Sequence, residues 1–288
     1  MSPHAVVRGP TAFFSASHNR RDRGVHGAMS QMSVEKGFLR QLQAVPLWVY
    51  VLAIAAVAIS IGIFSSPGSQ DILKILARGF GLTLRISLLS YAMAVVIGLI
   101  AGLGRVSANP IVHTLATLYV EILRGVPILV VVLYVAFVLG SQSIELFGRE
   151  FAIRSNFWRA AIALSLSYGA YLAEVIRSGI QAIPKGQIEA SRALGLGPLK
   201  TLGLVVVPQA FRIVLPPLGN DFIALIKDSS LASVISVAEL TQQTRFYVSR
   251  TFDTFGGWTM AALLYLSLTL ILSLGVRLLE RYSRVNER

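Results

Sequence analysis

The chain contains no cysteine, which excludes disulfides, thiolate catalysis and cysteine-ligated metals. It is also poor in charge: 14% of its 288 residues are Asp, Glu, Lys or Arg, against about 25% in an ordinary soluble domain. Histidine is scarce, and three of the four (His4, His18, His26) lie in a polar N-terminal stretch, leaving His113 alone in the apolar body. No histidine cluster for a metal can be assembled from that set. A phosphate loop is missing too. The nearest fragment, Gly195-Leu-Gly-Pro-Leu-Lys200-Thr201, has Leu199 where the second glycine must stand and reads as a turn and a helix start. No repeat of 20 to 50 residues is visible.

What the chain does have is apolar residues, 54% of the total. A helix needs about 20 mostly apolar residues to cross the hydrocarbon core. Four runs qualify with little or no charge: Pro46 to Phe64, Ile86 to Leu103, Gly125 to Gly140 and Gly256 to Val276. Two weaker segments carry charge. Ala160 to Leu172 continues into Glu174, and Ile213 to Leu240 contains Asp221, Lys227 and Asp228. Charge at membrane depth faces other helices or water, so these two are the candidates for lining a pathway, and the four clean ones for meeting lipid. The expected fold is an all-α membrane protein of about six spans.

The net charge of +12 is no nucleic-acid signature, because the basic residues sit in short segments between apolar runs. With six spans and the N-terminus inside, 17 of the 26 Lys and Arg fall on the inner side and 8 on the outer, with Lys227 within a span. That excess places both termini in the cytoplasm. Residues 1 to 44 read as a disordered tail, without the apolar core of a signal peptide. Met29 and Met32 leave open a later start. Gly98 and Gly102 form a G-x-x-x-G that lets another helix approach closely.

The most informative region is the long inner connection from Arg177 to Asp221. It keeps apolar positions (among them Ile188, Leu194, Leu199 and Val206) and is punctuated for two short helices. Pro184 can open the first, and Gly195 stands where a left-handed residue ends it. Pro198 opens the second, and Pro208 ends or kinks it. Such a hairpin is either a docking element or an interfacial cap on the bundle. Glu189 also has a plain reading as a helix-surface pair with Arg192.

Glu189-Ala190-Ser191, three residues, Gly195, nine residues, then Val205-Val206-Val207-Pro208 resembles the E-A-A-x3-G-x9-I-x-L-P signature of ABC importer permeases. Ser191, Val205 and Val207 depart from it conservatively. The stretches Glu121-Ile-Leu-Arg-Gly-Val-Pro127, Ala173-Glu174-Val-Ile-Arg177-Ser-Gly179-Ile, Leu215-Pro-Pro-Leu-Gly-Asn-Asp-Phe-Ile223 and Lys227-Asp-Ser-Ser-Leu-Ala-Ser-Val-Ile235 look like the polar amino-acid branch of that binding-protein-dependent, type I family. The resemblance covers roughly residues 79 to 280.

It implies a five-helix type I core at 79–280, preceded by an extra N-terminal span and external linker at 45–78 and followed by a cytoplasmic tail at 281–288. It implies a multi-pass protein of the cell (inner) membrane, without catalytic residues or a bound cofactor or metal. ATP and Mg would sit on a partner cytoplasmic ABC ATPase dimer. A second permease subunit, the same chain or a homologous one, and an extracytoplasmic amino-acid-binding protein complete the assembly. Glu189, Ala190, Ser191, Arg192, Gly195 and Pro208 are the expected ATPase-coupling residues.

Candidate pathway residues come from the two charge-bearing spans: Tyr168, Tyr171 and Glu174, then Asp228, Ser229 and Ser230. The first three share a helix face that either lines the cavity or is an aromatic position at the membrane interface. The alternative is an ion- or proton-coupled secondary transporter with Glu174, Lys227 and Asp228 as a relay, or with those charges merely paired at helix ends.

Overall fold

The computed structural model describes residues 69–140, 144–146, 149–151, 153 and 155–285, all within one compact unit, Ile59–Arg288. The polar tail, Met29, Met32, the Pro46 to Phe64 run and the last three residues lie outside the described residues.

α1 (Ser69–Arg105) is 37 residues long, so residues 69–78, expected in a linker, form its first turns. At 1.5 Å per residue it measures about 55 Å, well beyond the roughly 30 Å apolar core of a bilayer. α2 (Pro110–Gly125) is capped by Asn109, whose Oδ1 accepts from the Ile111 N–H at 2.9 Å, with Pro110 in the first turn. α3 (Ile128–Tyr134) follows and continues as a π turn, Val135–Leu139.

The uncharged run Gly125 to Gly140 is therefore not a span by itself. Val126 and Pro127 break the helix, and α2 meets α3 at 104°. Pro127 supplies the break, since its ring excludes a helical continuation from the residue before it. A short antiparallel hairpin, β1 (Ile144–Leu146) and β2 (Arg149–Phe151), is the one departure from an all-helical fold among the described residues. Arg159 closes this connection by donating to Ile153 O at 2.7 Å and Gly140 O at 2.6 Å.

α4 (Asn156–Gln181) is the central helix and is buried along much of its length. It lies parallel to α1, packed through small residues. A Cβ on Gly98 would lie 2.7 Å from Leu172 Cβ, and one on Gly102 would lie 2.9 Å from Ala173 O. Gly169 answers from the other side, where a Cβ would meet Ile97 at 2.7 Å. The G-x-x-x-G is a packing seam, as expected. The clean segment Ile86 to Leu103 thus divides, with Ile86, Ala94 and Ala101 buried while Leu88, Val96 and Ile100 stay exposed.

α5 (Lys185–Ala193) and α6 (Pro198–Thr201) form the hairpin expected in the Arg177 to Asp221 connection. α6 runs through a π turn (Leu202–Val206) directly into α7 (Val207–Asp228), so Pro208 does not terminate a helix. The π turn widens the backbone just ahead of the proline, in the first turn of α7, where its missing N–H is least costly. α7 also carries Pro216 and Pro217 in its interior. A 3₁₀ stretch, Ser229–Ile235, leads to α8 (Leu240–Thr251) and then α9 (Thr254–Val285). Among the described residues three helical stretches are long and apolar enough to cross a membrane: Ile72–Arg105, Pro198–Ile235 and Thr254–Glu280. The bent α2–α3 pair is a fourth if counted as one span. α4, at 26 residues or about 39 Å, matches bilayer thickness but is less apolar and more enclosed.

Candidate functional site

The α5–α6 hairpin is built from its turn outward. Gly195 has φ +80°, outside the range most side chains tolerate. Its N–H donates to Arg192 O at 2.9 Å and the Leu196 N–H donates to Ser191 O at 3.1 Å. This crossed pair is a Schellman end, which satisfies the last carbonyls of α5. Ser191 is buried, and its Oγ bonds Ile188 O at 2.8 Å and Thr201 Oγ1 at 3.1 Å. That second bond ties α5 to α6, a role that a comparison of side-chain size alone did not reveal. The foot of the hairpin is fixed by Ile183, Val206 and Ala210, packed with Ile180, Ile188 and Leu202.

The outer surface of this rigid hairpin is bare. Glu189, Ala190, Arg192 and Gly195 are exposed, and nothing lies within 4 Å of a Cβ built on Gly195. No ion pair joins Glu189 to Arg192 among the described residues. Leu194 and Leu199, two of the apolar positions of this connection, are 82% and 84% exposed. Leucines beside Gly195, Gly197 and Pro198 were the available signal. Pro208 is exposed at the foot of α7, away from the turn. The fragment that fails as a phosphate loop is this turn and the start of α6.

On α4 the expected pathway residues separate into two groups. The Tyr168 hydroxyl donates to Asp228 Oδ2 at 2.8 Å, and its ring lies 5.9 Å from that of Tyr171. At 4% exposure, Tyr168 is no interfacial aromatic. The Arg124 guanidinium stands 5.6 Å over the Tyr171 ring. Glu174 belongs to a different cluster. Its Oε2 accepts from Arg105 Nη1 at 2.5 Å, Arg124 lies 3.9 Å away, and Arg177 pairs with it from the next turn. Arg105 also reaches Glu121 at 3.5 Å.

The relay is not assembled. Glu174 is held by arginines, Asp228 by Tyr168, and Lys227 is exposed. Ser229 is buried, with its hydroxyl turned back to Ile226 O at 2.7 Å, and Ser230 is partly exposed beside it. Sequence reasoning missed Tyr91, whose hydroxyl donates to Leu218 O at 2.6 Å and whose ring lies 4.9 Å from Phe222. A tyrosine mid-way along a clean apolar run was the clue. Among the described residues no group of three or more His, Asp or Glu side chains is placed to hold a metal.

The long apolar helices, the central parallel pair and the exposed hairpin define a membrane-embedded helical bundle. The family pattern described as "Binding-protein-dependent transport system inner membrane component" matches residues 94–285. The chain belongs to that family. It is 38% identical over 213 residues to the glutamine transport system permease protein GlnP of Escherichia coli strain K12, covering 74% of this chain and 94% of that one. It is 40% identical over 207 residues to the arginine transport system permease protein ArgU of Corynebacterium glutamicum, covering 69% and 65%. A solved amino acid ABC transporter with histidines matches with a TM-score of 0.67 and 34% identity, covering 74% of this chain and 95% of that one. The methionine ABC transporter MetNI, at 21% identity and a TM-score of 0.61, shares the fold.

Proposed function

We propose that this chain is the permease subunit of an ATP-driven importer for polar or charged amino acids. Both termini and the α5–α6 hairpin lie in the cytoplasm, residues 79–280 form the type I transmembrane domain, and the Pro46 to Phe64 run supplies an additional span ahead of α1. The observation that carries the reading is the rigid hairpin with its exposed, left-handed Gly195 turn and two exposed leucines. Solvent-facing leucines on a fixed scaffold suit a partner surface. The partner is a cytoplasmic ATPase dimer, which binds ATP and Mg and contacts Glu189, Ala190, Arg192 and Gly195. Ser191 holds the hairpin's shape, and Pro208 stands exposed at the foot of α7.

ATP-driven closure of the ATPase pair rocks two permease subunits between outward-facing and inward-facing states. An extracytoplasmic binding protein delivers the substrate. The substrate class follows the relatives, whose names specify glutamine and arginine. Tyr168, Tyr171 and Asp228, with Ser229 and Ser230 beside them, line the route, and the Glu174 cluster closes its inner end.

The test is uptake by proteoliposomes holding the permease, its ATPase and its binding protein. Glutamine, arginine, cystine, sugars and metal ions are compared as substrates. Stimulation of ATP hydrolysis by sugars or metals alone overturns the substrate class. Uptake that persists without ATP overturns the energy source.

A further inference from the structure

Glu239 is fully buried, and no Lys or Arg among the described residues pairs with it. It sits between the 3₁₀ stretch and α8, and its carboxylate gathers three helices. Its Oε1 accepts from the Gln242 N–H and its Oε2 from the Thr241 N–H, both at 2.9 Å, capping α8. Oε2 also accepts from Tyr265 Oη of α9 at 2.9 Å and lies 3.5 Å from Thr83 Oγ1 of α1. Thr83 completes the knot by accepting from the Leu240 N–H at 3.1 Å. The α1 backbone comes close here, since a Cβ on Gly79 would stand 2.9 Å from Leu240 Cα. A buried acidic group with this many donors from three helices is more than a helix cap needs.

The neighbouring backbone says what is being held. α8 lies between Ser236 at φ 63° and Phe252 at φ 57°, both non-glycine residues in the left-handed region. Such conformations persist only where the surroundings impose them. Upstream, the Ser229–Ile235 stretch is fastened at two points. Asp228 meets Tyr168, and Ile235 O accepts from Asn156 Nδ2 of α4 at 2.8 Å. Glu239 is the next fixed point along the chain.

We propose that Glu239 is a positioning residue for transport: it pins the start of α8 to α1 and α9, and thereby sets the placement of Asp228, Ser229 and Ser230 along the route. This rests on the pathway reading above. It predicts that disturbing the knot moves the pathway without unfolding the protein.

Because the natural chain has no cysteine, a single Ser230→Cys reports on the pathway cleanly. In the complete transporter, the maleimide labelling rate of that thiol is measured with Glu239, Glu239→Gln and Glu239→Asp, and separately with Tyr265→Phe. Substrate uptake, ATP hydrolysis and melting temperature are recorded for the same set without the cysteine. The expected result is a shift of threefold or more in labelling rate for Glu239→Gln and Tyr265→Phe. Substrate-stimulated ATP hydrolysis should fall about tenfold while ATPase co-purification is retained, and Glu239→Asp should recover part of both. If Glu239→Gln does not insert, Tyr265→Phe decides alone.

An unchanged labelling rate, or loss of uptake that tracks melting temperature across the variants, overturns the proposal. Failure of the unmutated complex to take up any amino acid overturns the functional reading instead.

Discussion

Gly195 holds φ +80° with open space where a side chain would go, so a substitution there strains the backbone without a clash inside the chain. Gly195→Val should cost about 1 to 3 kcal/mol of local strain and place a branched side chain on the surface offered to the ATPase. The expected outcome is normal membrane insertion with uptake and ATPase co-purification both reduced at least tenfold. Gly195→Asn, which tolerates left-handed geometry, should lie between that variant and the natural chain. Wild-type ATPase retention in Gly195→Val would remove the coupling assignment.

At the scale of elements, the α1–α4 seam makes the most direct prediction. Gly98→Leu forces a side chain into a gap where Cβ alone would stand 2.7 Å from Leu172 Cβ. Overpacking of this kind costs about 1 to 3 kcal/mol or more. Detergent-solubilised Gly98→Leu should melt well below the natural chain, whereas Gly81→Leu, with nothing within 4 Å of its Cβ, should change little.

This seam was legible in the sequence because small residues at four-residue spacing have one main use in a spanning helix. The hairpin was legible for a similar reason, since Pro184, Gly195 and Pro198 each have narrow backbone preferences. The 104° break at Val126–Pro127 was hidden, because hydropathy sums residues without reference to direction. Pro208 misled in the opposite sense, as a π turn that no local signal announces absorbed it. Glu239 went unread because burial of a carboxylate depends on partners more than 150 positions away in α1.

For the whole molecule, the distribution of basic residues and the resemblance agree on one orientation, with the α5–α6 hairpin inside. The cysteine-free background allows Lys200→Cys to be probed directly, as Lys200 is exposed on that hairpin. An impermeant thiol reagent should label it in inside-out vesicles and not in intact cells. Labelling from outside would invert the topology and detach the hairpin from any cytoplasmic ATPase.

The parallel pairing of α1 with α4 also has a consequence for how the protein is made. Arg105 ends the first helix, while Gln181 ends the second after the bent pair and the β-hairpin have been synthesised. At about 5 to 20 residues per second, the glycine face of α1 waits on the order of 4 to 15 s for its partner. During that interval the nascent chain must park Gly98, Gly102 and the Arg105 guanidinium against lipid or the insertion machinery. Slowing the ribosome between codons 106 and 155 should therefore lower the yield of inserted protein without altering the stability of the molecules that complete synthesis.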